Sequence, residues 1–160
     1  MPRSQGAFAG NSPAKVINIL VGHPNLPYHR FKSLPRPIVS IIRLEREGDT
    51  AGAVREAVRL AGGLGETIAE GDTVLIKPNA KNATAQGLGV NTDARIVEAV
   101  LDLVLERGAG RVVIADGAAF PSGNWDTIAA FKASGIAELA HRKNVELCDL
   151  NTAEPAIIEI

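Results

Sequence analysis

Lys77 ends the apolar run Thr73-Val74-Leu75-Ile76 and is followed directly by Pro78 and Asn79. An ammonium group at the end of an apolar strand emerges at the mouth of a sheet, where it can hold a carboxylate or phosphate or pass a proton. The plainer reading is a lysine whose stem lies along apolar surface while its head reaches water. Asn79 can both donate and accept, with Pro78 fixing the approach to it, or it can simply form a turn. Thr92 and Asp93 stand where a helix begins. There they can help bind an anion through backbone N–H groups, or serve as plain caps. Asp116 follows the run Arg111–Ala115, a position from which a carboxylate can bind a hydroxyl, a cation or a proton, or make an Asp-Gly turn with Gly117. Asn124 closes the polar loop after Asp116 and completes the candidate ligand-binding set of Lys77, Asn79, Thr92, Asp93, Asp116 and Asn124.

These residues lie in two loops, Lys77 to Asp93 and Asp116 to Trp125, each leaving the end of an apolar run. In a parallel α/β sheet, ligands bind outside the C-terminal ends of the strands. If the two strands are neighbours, both loops open on one edge. Other chemistry has no foothold. Gly87-Leu88-Gly89 has Thr92 where a dinucleotide fingerprint needs its third glycine, and there is no phosphate-cradling Walker run. No nucleophile-elbow Gly-x-Ser-x-Gly exists. His23, His29 and His141 lack metal-ligand spacing, so no metal site is expected. Cys148, the one cysteine, lies inside a strand pattern and reads as an inert thiol. One cysteine cannot hold an iron–sulfur cluster, so none is expected within this chain.

The elements that must position these loops follow from periodicity. Residues 1–37 hold most of the prolines and two of the three histidines, and read as a partly extended N-terminal arm in which Val16–Val21 is a short strand. From residue 38 the pattern is regular. Ile38, Val39, Ile41, Ile42 and Leu44 form a nearly continuous apolar run, expected to be a buried strand. Val54, Ala57, Val58 and Ala61 follow at helical spacing, with Asp49 or Thr50 as N-cap. Thr73–Lys77 and Arg111–Ala115 read as strands, with a Thr92-capped helix through Ile96, Val97, Val100 and Val104 between them. Helices are expected around Asp126–Lys132 and Ile136–Lys143, and a strand over Val145–Asp149. Strands alternating with helices predict right-handed βαβ units and a mostly parallel sheet. The expected fold is three-layer, Rossmann-like α/β, spanning 38–160. Because Ala156–Ile160 reads as a strand cut short, that domain is expected to be truncated at its C-terminus.

Composition agrees. The 160 residues are 46% hydrophobic and 22% charged, and only 4% aromatic, so the core must be aliphatic, as strands buried on both faces require. A net charge of −1 without a basic run excludes the electrostatic footprint of a nucleic-acid binder. The apolar run Val16–Val21 is far too short to span a bilayer, and residues 1–15 lack the blocks of a secretory signal. The reading is a cytoplasmic protein with neither membrane nor nucleic acid as partner.

The segment Gly71-Asp72-Thr73-Val74-Leu75-Ile76-Lys77-Pro78-Asn79, the helix Thr92 to Val100, and Gly108-Ala109-Gly110 with the strand through to Gly117 resemble, in order and spacing, the domain of unknown function 362 family. The likeness runs from about Val39 to Leu150. It carries no settled activity. Many family members hold a ferredoxin-like module that binds 4Fe–4S clusters. The residues themselves suggest an enzyme, or part of one, taking a small anionic ligand at the strand ends. The resemblance implies an alternative, a redox accessory or iron–sulfur-associated scaffold whose ferredoxin-like module or redox partner lies outside this chain. A third reading is that these loops only close the fold. Where the family places proline after Thr-Asp, this chain has Ala94. The layout is also similar to the N-terminal half of nickel-pincer lactate racemases, at the level of fold alone.

Overall fold

A computed structural model describes residues 15–16, 38–44, 49–65, 67–83, 89–118 and 126–154. Its elements run β1 (Lys15–Val16), α1 (Thr50–Leu60), β2 (Thr73–Ile76), α2 (Ala94–Glu106), β3 (Arg111–Asp116), α3 (Thr127–Ala133), α4 (Ile136–Lys143) and β4 (Glu146–Asp149). The sheet order is β1-β2-β3-β4 and every pairing is parallel. Mixed α/β architecture with a parallel sheet is therefore what the alternating pattern predicted.

The core forms where the two periodicities meet. Val74 and Ile76 of β2, with Val112 and Ile114 of β3, point to one face of the sheet, as alternate residues on a strand must. Val97, Leu101 and Val104 recur along one stripe of α2, and Ile136, Leu139 and Ala140 along α4; these join the same cluster. Phe131 from α3, fully buried, is the largest side chain in it. α2 packs against β2 and β3, α4 against β4, and the two helices touch each other, so they cover the same face. α1 packs on α2. β3 is buried from Val112 to Asp116, on both of its faces.

At the other end of the strands the turns before β2 and β3 press together. Gly71 N–H donates to Gly108 O at 2.8 Å, and Gly110 N–H to Asp72 O at 2.9 Å. A Cβ on Gly110 would stand 2.8 Å from the Gly71 carbonyl oxygen, which explains a glycine there without any appeal to flexibility.

Three expectations change. The run Ile38–Leu44 is not a buried strand: it is non-regular, with Val39 81% and Ile41 86% exposed. Apolar patterning shows that a segment wants burial; it does not supply the neighbour that buries it. The cap of α2 is Asp93 rather than Thr92, and the cap of α1 is Asp49, whose carboxylate accepts the Gly52 N–H. Within the described part of Val16–Val21, only Val16 is in a strand, together with Lys15. Asn124, Trp125 and the Ala156–Ile160 stretch lie outside the described residues.

Candidate functional site

β2, β3 and β4 run parallel, so Ile76, Asp116 and Asp149 end at one edge and the segments after them share it. Lys77 and Asp116 meet there, with Lys77 Nζ 2.6 Å from Asp116 Oδ1. The partners differ in setting: the Lys77 side chain is 45% exposed, the Asp116 side chain only 6%. The second Asp116 oxygen accepts the buried Ala80 N–H at 2.6 Å. One carboxylate thus holds the exposed cation with one oxygen and the backbone of the following loop with the other. Gly117, which follows Asp116, leaves the strand in close contact with the chain after β4: a Cβ on it would come within 2.9 Å of Asn151 Oδ1.

Asn79 is locked into its own loop. Its N–H donates to Thr92 Oγ1 at 2.9 Å, its carbonyl accepts the Thr92 N–H at 2.8 Å, and its side-chain amide donates to Val90 O at 2.7 Å. Asn79 and Thr92 are thereby clamped together across the mouth of the loop. Asp93 acts as a cap: its Oδ1 accepts the Arg95 N–H at 2.9 Å, and its two oxygens also receive the Arg95 guanidinium at 3.0 and 2.8 Å. Asn79, Thr92, Asp93 and Arg95 line a cleft of about 500 Å³, together with Asn91 and Ile96. Three candidates, Asn79, Thr92 and Asp93, therefore share this cleft, while Lys77, two residues before Asn79, does not line it and pairs with Asp116. Asp116 reaches in from the neighbouring strand, and Asn124 lies outside the described residues.

Several residues that organise this edge carried no conspicuous signal. Asn91 Oδ1 accepts Lys81 N–H at 2.8 Å, and its amide donates to Asn82 O at 2.9 Å. Beside β4, the fully buried Thr127 hydroxyl donates to Asp149 Oδ1 at 2.7 Å and accepts the Ala118 N–H at 3.0 Å. Asn151 N–H donates to the same Asp149 oxygen at 3.0 Å. Asp149 is the last residue of β4 as Asp116 is of β3, with Asn151 two residues on, and the strand-end rule applied to the third strand would have found them. Thr127 looks like any helix-start residue in sequence. Cys148, in β4, has its thiol pKa raised chiefly by burial and then by Glu146 and Asp149, which suits an unreactive side chain. Among the described residues no three His, Cys, Asp or Glu side chains converge as metal ligands, and no helix is long and apolar enough to cross a membrane.

No curated protein and no solved structure matches the chain. The family model described as "Domain of unknown function (DUF362)" matches residues 74–160, more than half of the chain, including all six candidate residues. The touching Gly71 and Gly108–Gly110 turns and the joined Lys77 and Asp116 are the same segments that carried the sequence likeness, and the chain belongs to the domain of unknown function 362 family.

Proposed function

We propose that the C-terminal edge of the sheet binds a small anionic molecule, a carboxylate or phosphate, with Lys77 as its cation. The observation carrying this reading is the uneven Lys77–Asp116 pair. A carboxylate buried this deeply would ordinarily be left without charge or matched inside the core. Here it fixes an ammonium group whose outer surface stays open to solvent, two residues before Asn79, which lines the cleft. Asp116 has a donor on each oxygen, so it acts as a positioning residue that presents Lys77 and ties down Ala80. Asn79, clamped to Thr92, gives the cleft a fixed wall, and the Asp93–Arg95 pair sets its far side. The reading belongs to a cytoplasmic protein of three-layer, Rossmann-like build. Burial of Val113 and Ala115, on the sheet face turned away from α2, supports the third layer.

Thermal-shift measurements with phosphate, short carboxylates and nucleotides, on the parent and on Lys77→Ala, test it. A ligand that binds only the folded state raises the melting temperature by mass action. The expected result is a shift with at least one anion, and an apparent Kd at least about tenfold weaker in Lys77→Ala, the loss of roughly 1.4 kcal/mol of binding. Equal shifts in both proteins, or no shift with any anion, would remove Lys77 from this role.

A further inference from the structure

The first βα segment contains three mismatches. Ile38, Val39, Ile41 and Leu44 are 66%, 81%, 86% and 46% exposed, although their run is the most strand-like before residue 70. α1 follows it, yet Val54, Ala57 and Val58, the residues spaced to form its apolar face, are only half-buried, and the one buried residue of the helix is Thr50. Among the described residues, β2 is paired on its outer side only where Lys15 and Val16 meet Val74 and Leu75. Among the described residues, the buried side-chain oxygens without a hydrogen-bond partner are Ser40 Oγ, in this run, and Thr50 Oγ1, at the start of α1.

We propose that residues 38–44 dock as a parallel strand along the outer side of β2, beneath α1 and in place of the two-residue β1 pairing, carrying Arg43 to the edge where Lys77 emerges. Chirality fixes the position. Crossovers between parallel strands are right-handed, and β2-α2-β3 places α2 on one face while the chain steps from β2 to β3. α1 packs beside α2 in the same helical layer. A strand that precedes α1 and shares this handedness must therefore sit one step before β2, on the side away from β3. Residues 45–49 are a suitable length for a strand-to-helix connection. Docking would give the exposed run a backbone partner and a helix to cover it, and would give α1 the apolar surface it lacks. Being parallel to β2, the docked strand would end at the edge where β2 ends, which places Arg43, its next-to-last residue, near Lys77. The Arg43 role rests on the anion-site reading above; the strand itself does not.

Hydrogen exchange of the whole chain, followed by mass spectrometry without added ligand, decides the strand. Docking predicts that amides from Val39 to Leu44 exchange at least about 100-fold slower than in an unstructured peptide. Exchange at the unstructured rate overturns it. Ile41→Asp gives an independent reading. A charge at a site 86% exposed should leave the melting temperature alone, whereas docking predicts a clear fall; no fall counts against docking. Arg43→Gln is then titrated with inorganic phosphate. Weaker binding with protection retained supports the Arg43 role. Unchanged binding in Arg43→Gln, while Lys77→Ala still loses it, overturns that role. If phosphate moves neither the parent nor the variants, the anion-site reading fails while slow exchange still establishes the strand.

Discussion

Two sets of ion pairs among the described residues are built differently. On the outer faces of the helices, Arg55 pairs with Glu106, Arg142 with Glu98, and Lys143 with both Glu98 and Asp102. In each pair both side chains keep a good part of their surface in water. At the C-terminal edge of the sheet, Lys77 meets an Asp116 that is nearly inaccessible and also serves a backbone N–H. The outer pairs exchange one solvated arrangement for another. The inner carboxylate has given up its water and depends on two protein donors. Coulomb attraction is present in both, so the contrast teaches that burial and shared hydrogen bonds separate a decorated surface from an organised site.

The comparison breaks if the two regions respond alike to mutation. Asp116→Ala should have the largest effect. It leaves the buried Ala80 N–H without its acceptor and Lys77 without its partner, for an expected loss of about 2–4 kcal/mol in urea unfolding. Asp116→Asn retains an acceptor and should lose less. An Asp116→Ala protein as stable as its parent would place the carboxylate with the surface pairs. Thr127→Val should come next, at about 1–3 kcal/mol, since it strands the Ala118 N–H and removes the Asp149 hydroxyl donor from a fully buried position. Thr127→Ser, which retains the hydroxyl, should recover most of that loss. If Thr127→Ser is as unstable as Thr127→Val, packing by the methyl group rather than the hydrogen bonds dominates there.

The same contrast marks what the sequence made visible. Strands β2 and β3 and helices α2, α3 and α4 were legible because their apolar residues repeat at 2 or 3.6 and their ends carry glycine, proline or a capping carboxylate. That Lys77 and Asp116 stand at strand ends was equally legible, as periodicity fixes where a strand stops. That they touch was not, because contact depends on strand order, and no local pattern records which strands are neighbours. The clamp between Asn79 and Thr92 spans thirteen residues of loop, and the Thr127–Asp149 bond joins a helix start to a strand end; both are products of tertiary geometry. The run 38–44 shows the opposite failure. Its pattern is strand-like, but a pattern specifies only what a segment would bury, and in this arrangement β2 has Lys15–Val16 beside it instead.

The smallest effects belong to the outer pairs, and their pH dependence sharpens the comparison. Hydrogen bonds from Arg142, helped by Lys143, hold the Glu98 carboxyl below its usual range, and Arg55 does the same for Glu106. A depressed carboxylate adds stability above its unfolded pKa and loses that contribution as pH falls through the lower folded value. The loss therefore begins near the ordinary glutamate range of about 4.3 and continues below it. Because these groups are solvated, salt screens them, and Glu106→Gln should leave the urea midpoint at pH 7 unchanged within error. Unfolding of the parent and of Glu106→Gln, compared from pH 7 down to pH 3 at low and high salt, tests this. The two curves should coincide at pH 7, and any small parent advantage at low salt should fade on acidification. A large Glu106→Gln deficit at pH 7 that survives high salt would mean that the Arg55 pair bridging α1 and α2 is itself an organising contact, and that burial alone does not separate the two regions.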